Sequence, residues 1–294
     1  MREMESMMPA KSPRLLRAAL LALAAATCLS GCENLFGEQD TVKNNVNTDA
    51  ANYRELAIEA IYAAGWQAID RGNWTVAAAT FDEMERQHPY SPWARRAMLM
   101  AAFCYYQAND YGSAIATSDQ YISLHPGSTE VAYAFYLKAV SLYEQIVDVG
   151  RDQTNTRDAL VALQDVVQRF PDTEYARDAT LKIDLTMDHL AGKEMNVGRY
   201  YLTRGDYIGA VNRFRMVVEQ YQTTPQIAEA LERLTEAYYS LGLDNEAQTA
   251  AAVLGHNYPG SGWYQNAYNI LKGRNLKPEE DKRSWISQAF HRIL

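Results

Sequence analysis

The stretch AAATFDEMERQHP, Ala77–Pro89, places a small residue twelve positions ahead of a proline. The same pairing recurs at Ala114/Pro126, Ala159/Pro171 and Ala247/Pro259, and Pro225 follows Ala210 at a slightly longer offset. Within the quoted stretch Ala77, Phe81 and Met84 recur at i, i+4 and i+7, the period of a helix with one buried face. Pro89 ends that helix because it lacks an N–H and its ring clashes with the preceding turn. Working backwards, Ile61, Gly65 and Ala68 share a face of an earlier helix, and Arg71-Gly72-Asn73 breaks the chain between the two. Ala102, Tyr105, Tyr111, Ala114, Tyr121 and Pro126 repeat the arrangement, as do Leu231, Tyr238, Gly242, Ala247, Leu254 and Pro259.

A repeated helix–turn–helix unit of this kind is an all-α solenoid of about five units, which resembles the tetratricopeptide pattern of small residues inside both helices and a terminal proline. Successive prolines lie 37, 45, 54 and 34 residues apart. The third unit carries an insertion around Asp148-Val149-Gly150-Arg151-Asp152-Gln153. The 54-residue gap leaves room for an extra helix over about 174–190, ahead of a fourth unit at 191–222 with Gly198, Tyr201, Gly205, Tyr207, Ala210 and Phe214 in register. Solenoids present long surfaces to other proteins.

Residues 1–31 read as a signal peptide. Lys11, Arg14 and Arg17 form a basic segment, and the apolar run Ala18 to Leu29 is too short to span a bilayer. Met7 and Met8 are alternative starts. Leu29-Ser30-Gly31-Cys32 matches a bacterial lipobox, so Cys32 is expected to carry a covalent N-acyl and S-diacylglycerol lipid. With more than one acyl chain such a residue anchors a protein stably to a membrane without embedding it. Glu33, rather than Asp, at the next position favours the outer membrane. Residues 32–52 are polar and read as a lipidated tether, 53–271 as the solenoid and 272–294 as a separate amphipathic helix.

The formal charge is −8, and −10 once residues 1–31, which hold four basic and two acidic side chains, are removed. Such a surface offers no electrostatic reason to bind nucleic acid. Of three cysteines only Cys104 remains outside the leader and the lipid site; between Phe103 and Tyr105 it reads as core, which rules out an internal disulfide. The chain has no HExxH, GxSxG, Walker lysine loop or CxxC, and no cofactor or metal ligand set is expected. His88, His125 and His256 sit beside repeat-ending prolines as turn or cap residues, while His189 and His291 are isolated.

Binding is the expected activity. In a solenoid of this type the first helix of each unit lines the concave face, and its outward positions fall on Tyr62, Trp66, Phe103, Tyr106, Tyr133, Tyr136 and Tyr143. Aromatic rings with a polar tip suit peptide capture; packing against the next helix is the alternative for each. In the last unit these positions are Glu229, Glu232 and Glu236, which read as a solvated face or a dock for a basic partner. Arg199, Arg204, Arg213 and Arg215 cluster in the fourth unit, with Arg213 and Arg215 placed to meet carboxylates across an interface. At the C-terminus, Lys277-Pro278-Glu279-Glu280-Asp281 reads as a helix start. Trp285, Ile286, Ala289, Phe290 and Ile293 follow as an apolar stripe that caps the solenoid or docks a partner, ahead of the alternative that it lies on a membrane.

Four stretches are similar to the BamD (ComL) family of lipoproteins of the outer-membrane β-barrel assembly machinery. They are Gly72-Asn73-Trp74; His88-Pro89-Tyr90-Ser91-Pro92-Trp93; Arg169-Phe170-Pro171-Asp172-Thr173-Glu174-Tyr175-Ala176-Arg177-Asp178-Ala179; and Gly198-Arg199-Tyr200-Tyr201-Leu202-Thr203-Arg204-Gly205-Asp206-Tyr207. The resemblance covers roughly 50–260 and not the tail. It implies a non-enzymatic periplasmic role on the outer membrane. Its C-terminal repeats would hold the periplasmic repeats of the insertase BamA, alongside other lipoproteins of the machinery. Its N-terminal repeats would engage unfolded outer-membrane β-barrel proteins through their aromatic C-terminal signal. Carried onto this chain, substrate capture falls on Tyr62, Trp66, Tyr90, Trp93 and Tyr106, and insertase docking on Arg204 and Arg213. Arg213→Glu is then expected to weaken insertase binding without unfolding the chain. A repeat-containing periplasmic adaptor lipoprotein for proteases or cell-wall synthesis enzymes is the alternative function.

Overall fold

The computed structural model describes residues 58–291. The leader, Cys32 and the tether lie outside the described residues. Among the described residues there are twelve helices and no strand. They are α1 (Ile58–Asp70), α2 (Trp74–Gln87), α3 (Pro92–Gln107), α4 (Tyr111–Leu124), α5 (Val131–Tyr143) and α6 (Thr154–Arg169). Then come α7 (Glu174–Thr203), α8 (Tyr207–Gln220), α9 (Ile227–Leu241), α10 (Asp244–Asn257), α11 (Gly262–Lys272) and α12 (Trp285–His291). The first ten pair as five consecutive hairpins, the solenoid expected from the repeats. The first helices α3, α5, α7, α9 and α11 also touch one another in succession, so they share a face.

Each hairpin closes on a small residue. A methyl group at Gly65 would lie 2.6 Å from the Phe81 ring, and one at Gly198 would lie 2.4 Å from the Phe214 ring. Both pairs are sixteen residues apart, one residue on each helix of the hairpin. Ala77, Ala114, Ala159, Ala210 and Ala247 are fully buried on the second helices. Cys104 is buried too, and burial pushes its thiol up to about 12, which keeps it protonated and inert.

The turn inside the hairpins is a repeated object. Gly72, Asn109, Gly205 and Gly242 occupy the same register and all have φ between 60° and 76°. The residue after each donates its N–H five residues back: Asn73 to Ala68, Asp110 to Tyr105, Asp206 to Tyr201 and Leu243 to Tyr238. This left-handed helix stop favours glycine, and asparagine is the usual substitute. α11 ends the same way, with Asn275 at φ 57° and Leu276 N–H bonded to Leu271. The solenoid therefore continues into a sixth first-helix, which the repeat spacing did not reveal.

The turns between hairpins are equally uniform. His88, His125, Phe170, Tyr221 and Tyr258 cap the second helices with φ between −128° and −134°. A proline follows four of them, and the residue before proline is steered out of the helical region. His88 and His125 are the caps expected of them, but in the fifth unit Tyr258 takes that place and His256 lies within α10. Gln222 takes the proline's position in the fourth unit, so Pro225 belongs to the following turn and does not end the repeat.

Three expectations are corrected. The extra helix and the first helix of the fourth unit are one continuous 30-residue helix, α7, because no proline or left-handed residue interrupts 174–203. The inserted segment packs against its middle: Lys193 Nζ donates to the Gly150 carbonyl at 3.2 Å, and His189 Nε2 lies 2.6 Å from the Val147 carbonyl. His189 is therefore not isolated. Finally, the tail does not start a helix at Lys277-Pro278. Residues 276–281 have no regular structure and 282–283 form a turn; Asp281 N–H bonds Thr249 Oγ1 at 3.1 Å, and Ser284 caps the short α12 by accepting from Ile286 N–H. Ile293 of the apolar stripe lies outside the described residues; the rest of the stripe packs over α8 and α10, with Ile286 fully buried and Trp285 Nε1 donating to Tyr238 Oη at 3.0 Å.

Gly198→Ala tests the hairpin contact. The added methyl gains about 1 kcal/mol of helix propensity, but it displaces a close-packed ring at a cost of about 1–3 kcal/mol. Denaturant unfolding should show a net loss of stability.

Candidate functional site

The shared face of the first helices carries two aromatic groups. At the N-terminal end Tyr62 is the hub. Its ring centre lies 5.0 Å from Trp93, 5.7 Å from Phe81 and 6.3 Å from Trp66, all edge-to-face. Trp66 is 42% exposed. Trp93 reaches Tyr62 because Ser91 caps α3, accepting from Trp93 N–H at 3.1 Å, and Pro92 sets its first turn.

The central group is built from three helices. Tyr133 and Tyr136 on α5 lie 5.4 Å and 5.2 Å from Tyr175 on α7. Tyr136 Oη donates to Asp178 Oδ2 at 2.7 Å, and Lys182 Nζ donates to the same oxygen at 2.7 Å. Lys182 also sits over the Tyr143 ring at 5.6 Å. Tyr106 on α3 points its hydroxyl at Glu144, 3.5 Å away. Burial, reinforced by Asp178 at Tyr136 and by Glu144 at Tyr106, raises these phenols above their ordinary range. They therefore remain hydrogen-bond donors throughout the physiological range. Burial pulls Asp178 upward, but the bonds from Lys182 and Tyr136 outweigh it and hold the carboxyl below its usual range.

Two of the expected groove residues stand apart. Phe103 is half-buried and perpendicular to Trp74 at 5.9 Å, packing in the α2–α3 seam. Tyr90 is 99% exposed on the loop before α3. The reading of outward positions missed Tyr175. Its signal is the pattern Ser91-Pro92-Trp93, Thr173-Glu174-Tyr175 and Ser261-Gly262-Trp263: a capping hydroxyl, then a ring two residues later. Each such ring is laid on the preceding first helix.

The C-terminal half is charged, and most of its charges face each other. Arg199 Nη1 donates to both oxygens of Glu229 at 2.8 and 2.9 Å. Arg233 Nη1 donates to Glu236 at 2.8 Å, and its guanidinium stacks on the Trp263 ring at 5.6 Å. Arg213 is bound to Glu194 of α7 at 3.0 Å, and Arg215 to Glu219 at 2.8 Å. Arg204 remains exposed, lying 4.6 Å over the Tyr200 ring. Arg213→Glu would thus set the new carboxylate against Glu194 within the chain, so its effect is not confined to an interface.

Glu229, Glu232 and Glu236 are not a solvated face. Glu232 is 3% exposed. Its Oε2 lies 3.3 Å from Arg233 Nε, yet neither atom has a hydrogen-bond partner. Burial pushes the Glu232 carboxyl up to about 7; Arg233 opposes this, and Glu236 and Glu229 add to it.

Among the described residues no helix is long and apolar enough to cross a membrane. The family model described as an outer-membrane lipoprotein, YfiO, matches residues 54–254. The chain belongs to the YfiO/BamD family. It is 51% identical over 244 residues to the outer membrane protein assembly factor BamD of Caulobacter vibrioides, covering 82% of this chain and 80% of that one. It is 44% identical to the BamD of Rickettsia prowazekii, covering 73% and 86%, and 31% identical to that of Neisseria meningitidis serogroup A, covering 85% and 94%. The solved tetratricopeptide-repeat protein TTC0263 of Thermus thermophilus overlaps at a TM-score of 0.34 and 18% identity, covering 74% of this chain and 100% of that one.

The raised Glu232 carboxyl makes a pH prediction. The folded chain holds this proton more tightly than the unfolded chain, whose carboxyl titrates near 4.5. Stability from this group is therefore present below about 4.5 and lost as pH rises to about 7, by about 3 kcal/mol in all. The advantage of Glu232→Gln over the parent should grow by that order across this window in urea unfolding.

Proposed function

We propose that this chain is a non-enzymatic assembly factor for outer-membrane β-barrel proteins, tethered through lipid on Cys32 to the outer membrane and facing the periplasm. The aromatic face of α1, α3, α5 and α7 captures the aromatic C-terminal signal of unfolded barrels. The repeats around α7–α9 bind the periplasmic repeats of the insertase BamA. The observation that carries this reading is the 51% identity to a protein named as an outer membrane protein assembly factor, extending over 82% of the chain.

The aromatic geometry supports capture. Tyr62, Trp66 and Trp93 combine apolar area with edge-to-face order, and Trp66 stays open to a ligand. Large rings of this kind dominate interface energies. Arg204, open and stacked on Tyr200, is the better candidate for an insertase contact than Arg213, which already has Glu194 as its partner.

A mild-detergent pull-down of the full chain, with partners identified by mass spectrometry, tests the assignment. Recovery of a barrel insertase is expected; recovery of a protease or a cell-wall enzyme in its place would overturn it. Trp66→Ala should weaken binding of a barrel C-terminal peptide by about 1–2 kcal/mol in fluorescence anisotropy, without lowering Tm. Arg204→Glu should reduce insertase recovery and leave peptide binding unchanged.

A further inference from the structure

The joint between α9 and α11 contains a charge that the rest of the fold does not require. Along α9, Glu232 and Tyr239 are seven residues apart and share one face. Tyr239 meets the far end of α11: Arg274 lies 3.9 Å over its ring, and its hydroxyl stands 2.9 Å from where a methyl on Gly273 would be. Arg233, next to Glu232, stacks on Trp263 at the near end. Glu232 is therefore carried into the seam that α11 covers.

The surroundings of Glu232 leave its charge poorly served. On α9, Arg233 is the counter-ion at 3.3 Å, without a hydrogen bond, and it is shared with Glu229 and Glu236. From α7, Arg199 is taken by Glu229. On the side of α8 and α10, Arg215, Glu219 and Glu246 act on Tyr238 instead. From α11 comes Trp263, while Lys272 is exposed at the opposite end and Arg274, just beyond it, is paired with Asp244 at 2.9 Å. A carboxylate sealed in such a seam favours the neutral acid or an open seam.

We propose that the α9–α11 joint is a pH-gated latch: with Glu232 protonated α11 is held closed on α9, and with Glu232 ionised α11 loosens and gives water access to the seam. The latch acts on the last first-helix of the solenoid alone, since α12 is held separately by Ile286 in the core and by the Trp285–Tyr238 bond. Loosening uncovers Glu232 and most of Glu229, beside Arg233 and Glu236, which are already partly exposed. The same sequence would thus present a closed end in acid, with Gln265, Asn266, Asn269 and Lys272 outward and Ala267 and Leu271 buried, and an opened end above neutrality.

Hydrogen exchange of the full chain, read by mass spectrometry at pH 6 and pH 8 and corrected for the intrinsic rate, tests the latch. With the folded carboxyl at about 7 and the open one at about 4.5, α11 amides should lose about tenfold more protection than α3 or α5 amides over this range. In Glu232→Gln the α11 loss should match that of α3 and α5. Equal loss in α11 and α3 in the parent chain would overturn the proposal, as would a difference that persists in the glutamine variant. The parent measurement stands even if the variant folds poorly.

Discussion

The constraint on which the structure rests is the closeness of the two helices in each hairpin. At Gly65/Phe81 and Gly198/Phe214 an aromatic ring of the second helix fills the space where a side chain of the first would be. The fully buried alanines of the second helices complete that contact. A ring buried in this way contributes about 1.5–3 kcal/mol by area alone. A closed hairpin uses up one face of its first helix and leaves the opposite face for something else.

That remaining face is what the rest of the chain exploits. The left-handed turn at Gly72, Asn109, Gly205 and Gly242 gives four of the five hairpins the same internal turn, and the His, Phe or Tyr caps give all five the same approach to the next. First helices therefore stack side by side. The ring two residues after each capping hydroxyl lies on the helix before it, which is how Trp93 joins Tyr62 and how Tyr175 joins Tyr133 and Tyr136. The long helix α7 extends this surface and receives the inserted segment, whose carbonyls at Val147 and Gly150 bond His189 and Lys193.

The C-terminal repeats use the same frame for charge. Arg199 meets Glu229 and Arg213 meets Glu194 across helices, while Arg233 is shared by Glu229, Glu232 and Glu236 along α9. Exposed pairs such as Arg215–Glu219 add little stability, because water competes for both partners. Glu232 is different because its seam excludes water, and removing hydration from a carboxylate costs more than one poorly aligned arginine returns.

The sequence by itself determined the hairpins, because everything that makes one is local. Ala77 to Pro89 is one helix with one buried face and one stop, and Arg71-Gly72-Asn73 is one turn. Cys104 as core followed from its apolar neighbours Phe103 and Tyr105, and Trp66 as an outward ring from its position in the repeat. What the tertiary structure alone decided are the relations between hairpins. The pairing of Arg213 with Glu194 spans 19 residues, that of Arg199 with Glu229 spans 30, and the bond of Trp285 to Tyr238 spans 47. Helical periodicity says which face a residue is on, not which residue of another helix it meets. That depends on the rotation between stacked hairpins, which is why Glu232 reads as surface in the sequence and is 3% exposed in the fold.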